Sequence, residues 1–266
     1  MSADHLAVAI DDGVATLWLR RPEKRNAVTY DMWLGIAEQC RRLAADPAVR
    51  LLVVRGVGEH FCAGADIAGM AAAEPGEYGR ANSAAEAALA AFPKPTLAAI
   101  TGACVGGGTG IAAACDLRIA DATARFGITP ARLGIVYPAA AIERVVRLIG
   151  PSATKHLLYS AEIVDAGRAL RIGLVDEVHP PGELAGRLAA FTDLVARRRS
   201  LLTQMASKEM VDAVSASGAI DPAVTARWRG EVAGSGDAAE GMAAFLERRE
   251  PRFGWTPAPG GGAGAR

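Results

Sequence analysis

Residues 101–116 read TGACVGGGTGIAAACD. An apolar, strand-like run, TLAAITG (96–102), leads into this stretch, and alanines follow it. Gly106, Gly107 and Gly108 are consecutive, and Gly110 comes two residues later. A glycine inside a regular element costs roughly 0.5–1 kcal/mol against alanine, so the run needs a reason. At a strand-to-helix turn, bare backbone exposes amide N–H groups. The first amides of a helix lack an internal acceptor and carry partial positive charge. A second stretch, VVRGVGEHFCAGAD (53–66), has the same grammar of buried strand, small residues and helix start. Two such amides side by side would stabilise a developing oxyanion. Alternatively, the glycines simply let helices pack closely.

Other glycine-rich chemistries fit less well. No Lys follows these glycines, as a phosphate-binding P-loop requires. Gly108, Gly110 and Ala113 satisfy a dinucleotide fingerprint, but the acid expected about 20 residues on is missing near the apolar Leu133. No G-x-S-x-G elbow exists, and His5, His60, His156 and His179 are scattered. His60 reads as a surface-loop histidine.

Outward from these loops, the pattern is α/β. LAVAIDDGVATLWL (6–19) reads as a hairpin turning at Asp12-Gly13. Thr29 caps a helix with Trp33, Ile36, Ala37, Cys40, Leu43 and Ala44 on its apolar face. RLLVVRG (50–56) and TLAAITG are near-continuous apolar runs, as expected of strands covered on both faces. DLRIAD (116–121) is a third strand and GLVDEV (173–178) a last one. Residues 81–92 and much of 138–172 are helical, and 183–249 are mostly helix. Alternating strands and helices predict right-handed crossovers. Three segments are expected: a core over 1–195, a helical region over 196–253, and a Pro/Gly-rich, disordered tail over 254–266.

The 266 residues carry 29 basic and 29 acidic side chains. That balance gives no footprint for nucleic acid; Arg197-Arg198-Arg199 reads as the solvated end of a helix. No apolar run is long enough for a membrane span. Cys40, Cys62, Cys104 and Cys115 form no C-x-x-C pair, so no metal site is expected. Reduced thiols and the lack of a targeting pattern predict a cytoplasmic protein.

RPEKRNAV (21–28), FCAGADI (61–67), KPTLAAITGACVGGGTGIAAACDLRIA (94–120), ARFGITPARLGI (124–135) and DAGRALRIGLVDEV (165–178) together resemble the crotonase, or enoyl-CoA hydratase/isomerase, family. The likeness runs to about residue 253. It implies a repeated β-β-α spiral core with two near-perpendicular sheets and a helical C-terminal trimerisation region, in a homotrimer or a dimer of trimers. It implies an acyl-coenzyme A substrate and no separate cofactor. By the same resemblance, the backbone amides of Ala65 and Gly107 form the oxyanion hole. Lys24, Arg25, Ala27 and Val28, with Ala63, Gly64, Asp66 and Ile67, fall on the family's CoA-binding stretches. Gly106, Gly108, Gly110, Pro130 and Leu133 complete the substrate-binding set. Lys24 and Arg25 suit CoA phosphates by charge, and Asp66 is placed to cap its loop.

The resemblance also exposes two departures. Hydratases of the family use two glutamates on one water, at positions held here by Gly110 and Pro130. An isomerase-like acid would fall at Pro138 or Ala139. Tyr137 and Glu143 are the remaining candidate proton carriers; packing and a helix-surface salt bridge are their alternative readings. The expectation is a hydratase/isomerase-type acyl-CoA enzyme with an unsettled reaction, or else a CoA-thioester-binding relative with little or no catalysis.

Overall fold

A computed structural model describes residues 5–74 and 76–258. The first two strands, β1 (Leu6–Asp11) and β2 (Val14–Leu19), form the expected antiparallel hairpin. Asp12 and Gly13 both take positive φ, at 45° and 85°, as the tight hairpin turn demands. Next come α1 (Tyr30–Ala45), β3 (Leu51–Gly56), α2 (Ile67–Ala72), α3 (Glu77–Ala90) and β4 (Thr96–Ile100). They are followed by β5 (Ala103–Val105), α4 (Gly107–Ala114), β6 (Leu117–Asp121) and β7 (Arg125–Gly127). The core ends with α5 (Ala139–Ser160), β8 (Val164–Asp165), α6 (Ala166–Arg171) and β9 (Glu177–His179). Helices α7 (Leu184–Arg197), α8 (Leu201–Ser217), α9 (Pro222–Ser235) and α10 (Asp237–Glu247) complete the chain.

Two sheets result. Six strands run in the order β1-β2-β3-β4-β6-β9, parallel beyond the opening hairpin, and a smaller sheet joins β5, β7 and β8. The central strands bury nearly every residue, all five of β4 among them, which is why they read as unbroken apolar runs. The last large-sheet strand sits further along than GLVDEV suggests, at Glu177–His179. Residues 173–175 instead close the turn after α6, where the Leu174 amide bonds the Ala169 carbonyl.

Helix α1 starts where Thr29 accepts a hydrogen bond from the Met32 amide, and it buries Trp33, Ile36, Cys40 and Leu43 in the main core. Its neighbour across that core is α3. The Pro93-Lys94-Pro95 break carries a lysine into the interior: Lys94 is fully buried, and its ammonium donates to the Asp46 carbonyl at 2.6 Å. Helix α5 bends at Gly150-Pro151, where Gly150 leaves helical geometry.

The last helices build a separate small core from Leu201, Leu202, Met205 and Trp228. The chain stays attached past residue 253: Trp255 meets the Trp228 ring edge-on, and the Gly254 and Trp255 amides bond Asp237. Residues 259–266 of the expected tail lie outside the described residues. Among the described residues, no helix is long and apolar enough to cross a membrane.

Candidate active site

The two glycine loops run side by side. The Cys62 amide bonds the Ala103 carbonyl at 2.7 Å, and the Val105 amide returns to the Cys62 carbonyl at 3.0 Å. His60 is part of this seam. Its Nδ1 accepts from the Ala103 amide at 3.2 Å, so the ring is a brace between the loops and more than a surface residue. Upstream, Val28 bridges to Ala65, with the Val28 amide on Gly64 and the Asp66 amide on Val28. Ala65 is thereby held between one strand-like partner and the Gly107 turn.

Each glycine in these loops has a different reason. Gly64 sits at φ 109°, and a Cβ there would come within 2.9 Å of the Val105 carbonyl oxygen. Gly106 precedes α4 at φ 55° and ψ −115°, a conformation costly for any other residue. A Cβ on Gly107 would press on the Trp33 indole at 3.1 Å and lie 3.4 Å from the Ala65 nitrogen. The amides of Ala65 and Gly107 are thus close neighbours. Among the described residues neither donates to a protein acceptor. Gly108 faces away, into the Cys62 backbone, and serves close packing.

A cavity of about 350 Å³ opens at these amides, lined by Ala63, Gly64, Ala65, Ile67, Gly106, Gly107, Pro130, Leu133 and Tyr137, with Met70, Asn82 and Val136 also on its wall. Two larger hollows, about 650 and 570 Å³, lie against the C-terminal helices and contain neither glycine loop.

The remaining expected residues divide. Lys24 and Arg25 are exposed on a 3₁₀ turn, Pro22–Lys24, while Arg21 points inward and holds Asp66 at 2.7 Å. Asp66 caps α2 through the Gly69 amide, and the Arg21 hydrogen bond holds its carboxyl below the usual range. Val28 is buried. Its carbonyl accepts from the Tyr78 hydroxyl, which in turn accepts from the Asp66 amide at 3.0 Å. Gly110 lies one turn into α4, buried behind the cavity wall. Pro130 begins a 3₁₀ turn on that wall. Glu143 does not join the site: its side chain is 66% exposed and pairs loosely with Arg147, one turn along α5.

Tyr137 does join the site. Its hydroxyl donates to the Gly106 carbonyl at 2.9 Å, and burial, then the nearby Glu86 charge, push its pKa well up. It therefore stays a neutral O–H group across the physiological range.

The sequence reading passed over Glu86. This α3 carboxylate is 1% exposed and fills the space beside Gly110. It accepts from Asn82 at 2.8 Å and pairs with Arg144 of α5. Burial raises its pKa, opposed by Asn82 and Arg144. Its signal in the sequence is a single acid among alanines, SAAEAALAA (83–91). Among the described residues no group of three or more His, Cys, Asp or Glu side chains is placed to hold a metal ion.

The spiral of parallel strands and the paired glycine loops define a member of the crotonase superfamily. Within it, the enoyl-CoA hydratase/isomerase family model matches residues 9–256, and the chain belongs to that family. The crotonyl-CoA hydratase of Syntrophomonas wolfei is 34% identical, over 95% of this chain and 99% of its own length. A crystal structure described as an enoyl-CoA hydratase/isomerase family member superposes with a TM-score of 0.88 at 38% identity, covering 95% of this chain and 99% of the other. An enoyl-CoA hydratase/carnithine racemase from Magnetospirillum magneticum gives a TM-score of 0.89 at 28% identity, over 95% and 96%.

Proposed function

We propose that the chain is an acyl-CoA thioester enzyme that polarises the thioester carbonyl between the amides of Ala65 and Gly107. The observation that carries this reading is that both N–H groups are, among the described residues, without a protein acceptor and close together at the cavity. A thioester oxygen seated there accepts two hydrogen bonds. These strengthen as an enolate forms, and such donors act without reorganisation. The exposed Lys24 and Arg25 offer cations to the CoA phosphates, and Ile67 and Leu133 offer apolar contact.

Simple hydration of an enoyl thioester is not the favoured reaction. Gly110 and Pro130 carry no acid, and Tyr137 holds its proton. A second reading, binding of CoA thioesters with little turnover, draws support from the same two positions.

Self-association with threefold symmetry, as a homotrimer or a dimer of trimers, belongs to this proposal, as does a cytoplasmic location. Phe245 and Leu246 of α10 are 83% and 80% exposed beside the 650 Å³ hollow, a patch suited to a second copy of the chain.

Gly107→Pro tests the carbonyl-binding role. Proline removes one donor, and losing a single oxyanion donor costs ~10²–10³ in rate. Titration calorimetry with crotonyl-CoA, CoA and NAD comes first, with turnover across acyl-CoA types measured alongside. A folded Gly107→Pro variant with full turnover overturns the role. Binding of NAD in preference to CoA overturns the thioester reading.

A further inference from the structure

Glu86 is an ionisable side chain placed deep in the protein with no obvious structural return. A buried ion pair is weak evidence for stability, since desolvation offsets attraction. This one is also incompletely satisfied, because Arg144 Nε is buried without a partner among the described residues. The pair lies on the far side of the wall formed by Asn82 and Tyr137, both of which line the cavity.

Its position is the telling feature. A Cβ built on Gly110 would stand 2.9 Å from the Glu86 carboxyl carbon and closer still to Oε1, with the Tyr137 hydroxyl 3.2 Å away. Position 110 follows the Gly107 amide by three residues, so the two share one face of α4, with about 5–6 Å between Cβ positions. Glycine at 110 is what admits the carboxyl. A side chain at 110 and the Glu86 carboxylate cannot both keep these positions.

We propose that Glu86 is the proton-carrying group of this site, delivered from α3 to the place a side chain at position 110 would occupy on α4. The inference rests on the thioester reading above. In the step it serves, the carboxylate takes a proton from the α-carbon of the acyl group. The C–H electron pair becomes the enolate, whose oxygen is held by the Ala65 and Gly107 amides. Return of the proton from Glu86 regenerates the thioester or its isomer, so no oxidant or co-reactant is consumed. One water completes the reach between Glu86 and the cavity, while the Tyr137 hydroxyl, donating to the Gly106 carbonyl, holds the wall between them.

The groups facing the carboxyl are few. Asn82 comes from its own helix, Arg144 from α5 and Tyr137 from the segment before α5, while α4 presents only the Gly110 backbone. Burial lifts the Glu86 pKa above the ordinary carboxylate range. A reaction needing the ionised form therefore gains rate as pH rises through that lifted value.

The test is α-deuteration of butyryl-CoA in D₂O, followed by mass spectrometry and paired with calorimetric binding. Wild type is expected to bind and to exchange. Glu86→Gln is expected to bind within a few-fold of wild type and to lose at least ~10² in exchange, in the range of a general acid–base group. Arg144→Gln keeps the carboxyl and removes its cation, so the pH–rate limb moves upward, a shift that a merely structural role would not cause. Should Glu86→Gln misfold around the unpaired Arg144, the Glu86→Gln/Arg144→Gln variant removes both charges and must still lose exchange. Retained exchange in a folded Glu86 variant overturns the assignment and leaves the thioester reading standing. So does a wild type that binds butyryl-CoA and exchanges nothing. A wild type that binds no CoA thioester overturns both.

Discussion

Gly110→Ala separates a packed helix glycine from an open one. In an exposed helix interior the change would stabilise by roughly 0.5–1 kcal/mol, because alanine loses less backbone entropy. At position 110 the new Cβ would instead stand 2.9 Å from the Glu86 carboxyl carbon and 3.2 Å from the Tyr137 hydroxyl. Neither neighbour can swing freely. Glu86 is pinned by Asn82 and Arg144, and Tyr137 by the Gly106 carbonyl. Overpacking of this kind costs ~1–3 kcal/mol. Set against the helix gain, a net loss of about 1–2 kcal/mol is expected. Gly110→Glu is worse. It adds a second buried carboxylate and threatens the ion pair, whose rupture costs ~3–5 kcal/mol. Placing a glutamate at 110 should therefore not create a hydratase in this background. Combining it with Glu86→Ala moves the carboxyl from α3 to α4 while keeping a partner for Arg144, and should recover folding. Urea unfolding of wild type, Gly110→Glu, Glu86→Ala and the double variant, read by circular dichroism, gives the coupling directly as a double-mutant cycle, with Gly110→Ala measured alongside. A Gly110→Ala protein more stable than wild type would refute the reasoning, since it would mean that the space is open.

Light scattering at micromolar concentration should return a mass of three or six subunits, reduced in Phe245→Asp/Leu246→Asp; a wild-type monomer refutes that use of the patch. Lys94 gives a pH signature, because burial lowers its pKa from 10.5 to about 8. Its folded pKa lies below its unfolded one, so the destabilisation is complete below pH 8 and is relieved as pH rises toward 10.5, by up to ~3 kcal/mol. Urea midpoints at pH 8, 9 and 10 should climb for wild type relative to Lys94→Met; parallel slopes would exclude the effect.

Much of the frame was legible from local rules. The Asp12-Gly13 turn, the Thr29 cap and the apolar runs of β3 and β4 each follow from neighbours in the chain. Strands β5, β7 and β8 were not legible, since two or three residues carry no period. The candidate site divides the same way. The glycine loops pointed to exposed amides, and the family resemblance singled out Ala65 and Gly107 among them. Glu86 was not found, because its meaning depends on Arg144, 58 residues away, and on a hydrogen atom at position 110. Asn26 is similar: it is fully buried, at φ 57°, and its amide ties the Val57 and His60 carbonyls. Nothing in RPEKRNAV marks it as the pin of that loop.

The two amides at the cavity are main chain, and that sets how this protein can change over generations. Almost every coding substitution at Ala65 keeps the N–H, as does every tolerable one at Gly107; only proline deletes it. A proton carrier, by contrast, is a side chain, open to loss at a single codon, and under the proposal above it can stand at 86 only because position 110 holds no side chain. Substitution would change a proton-carrying side chain far more readily than it would remove either N–H group. On the proposed reading, a new reaction on this scaffold would begin with both main-chain donors already in place.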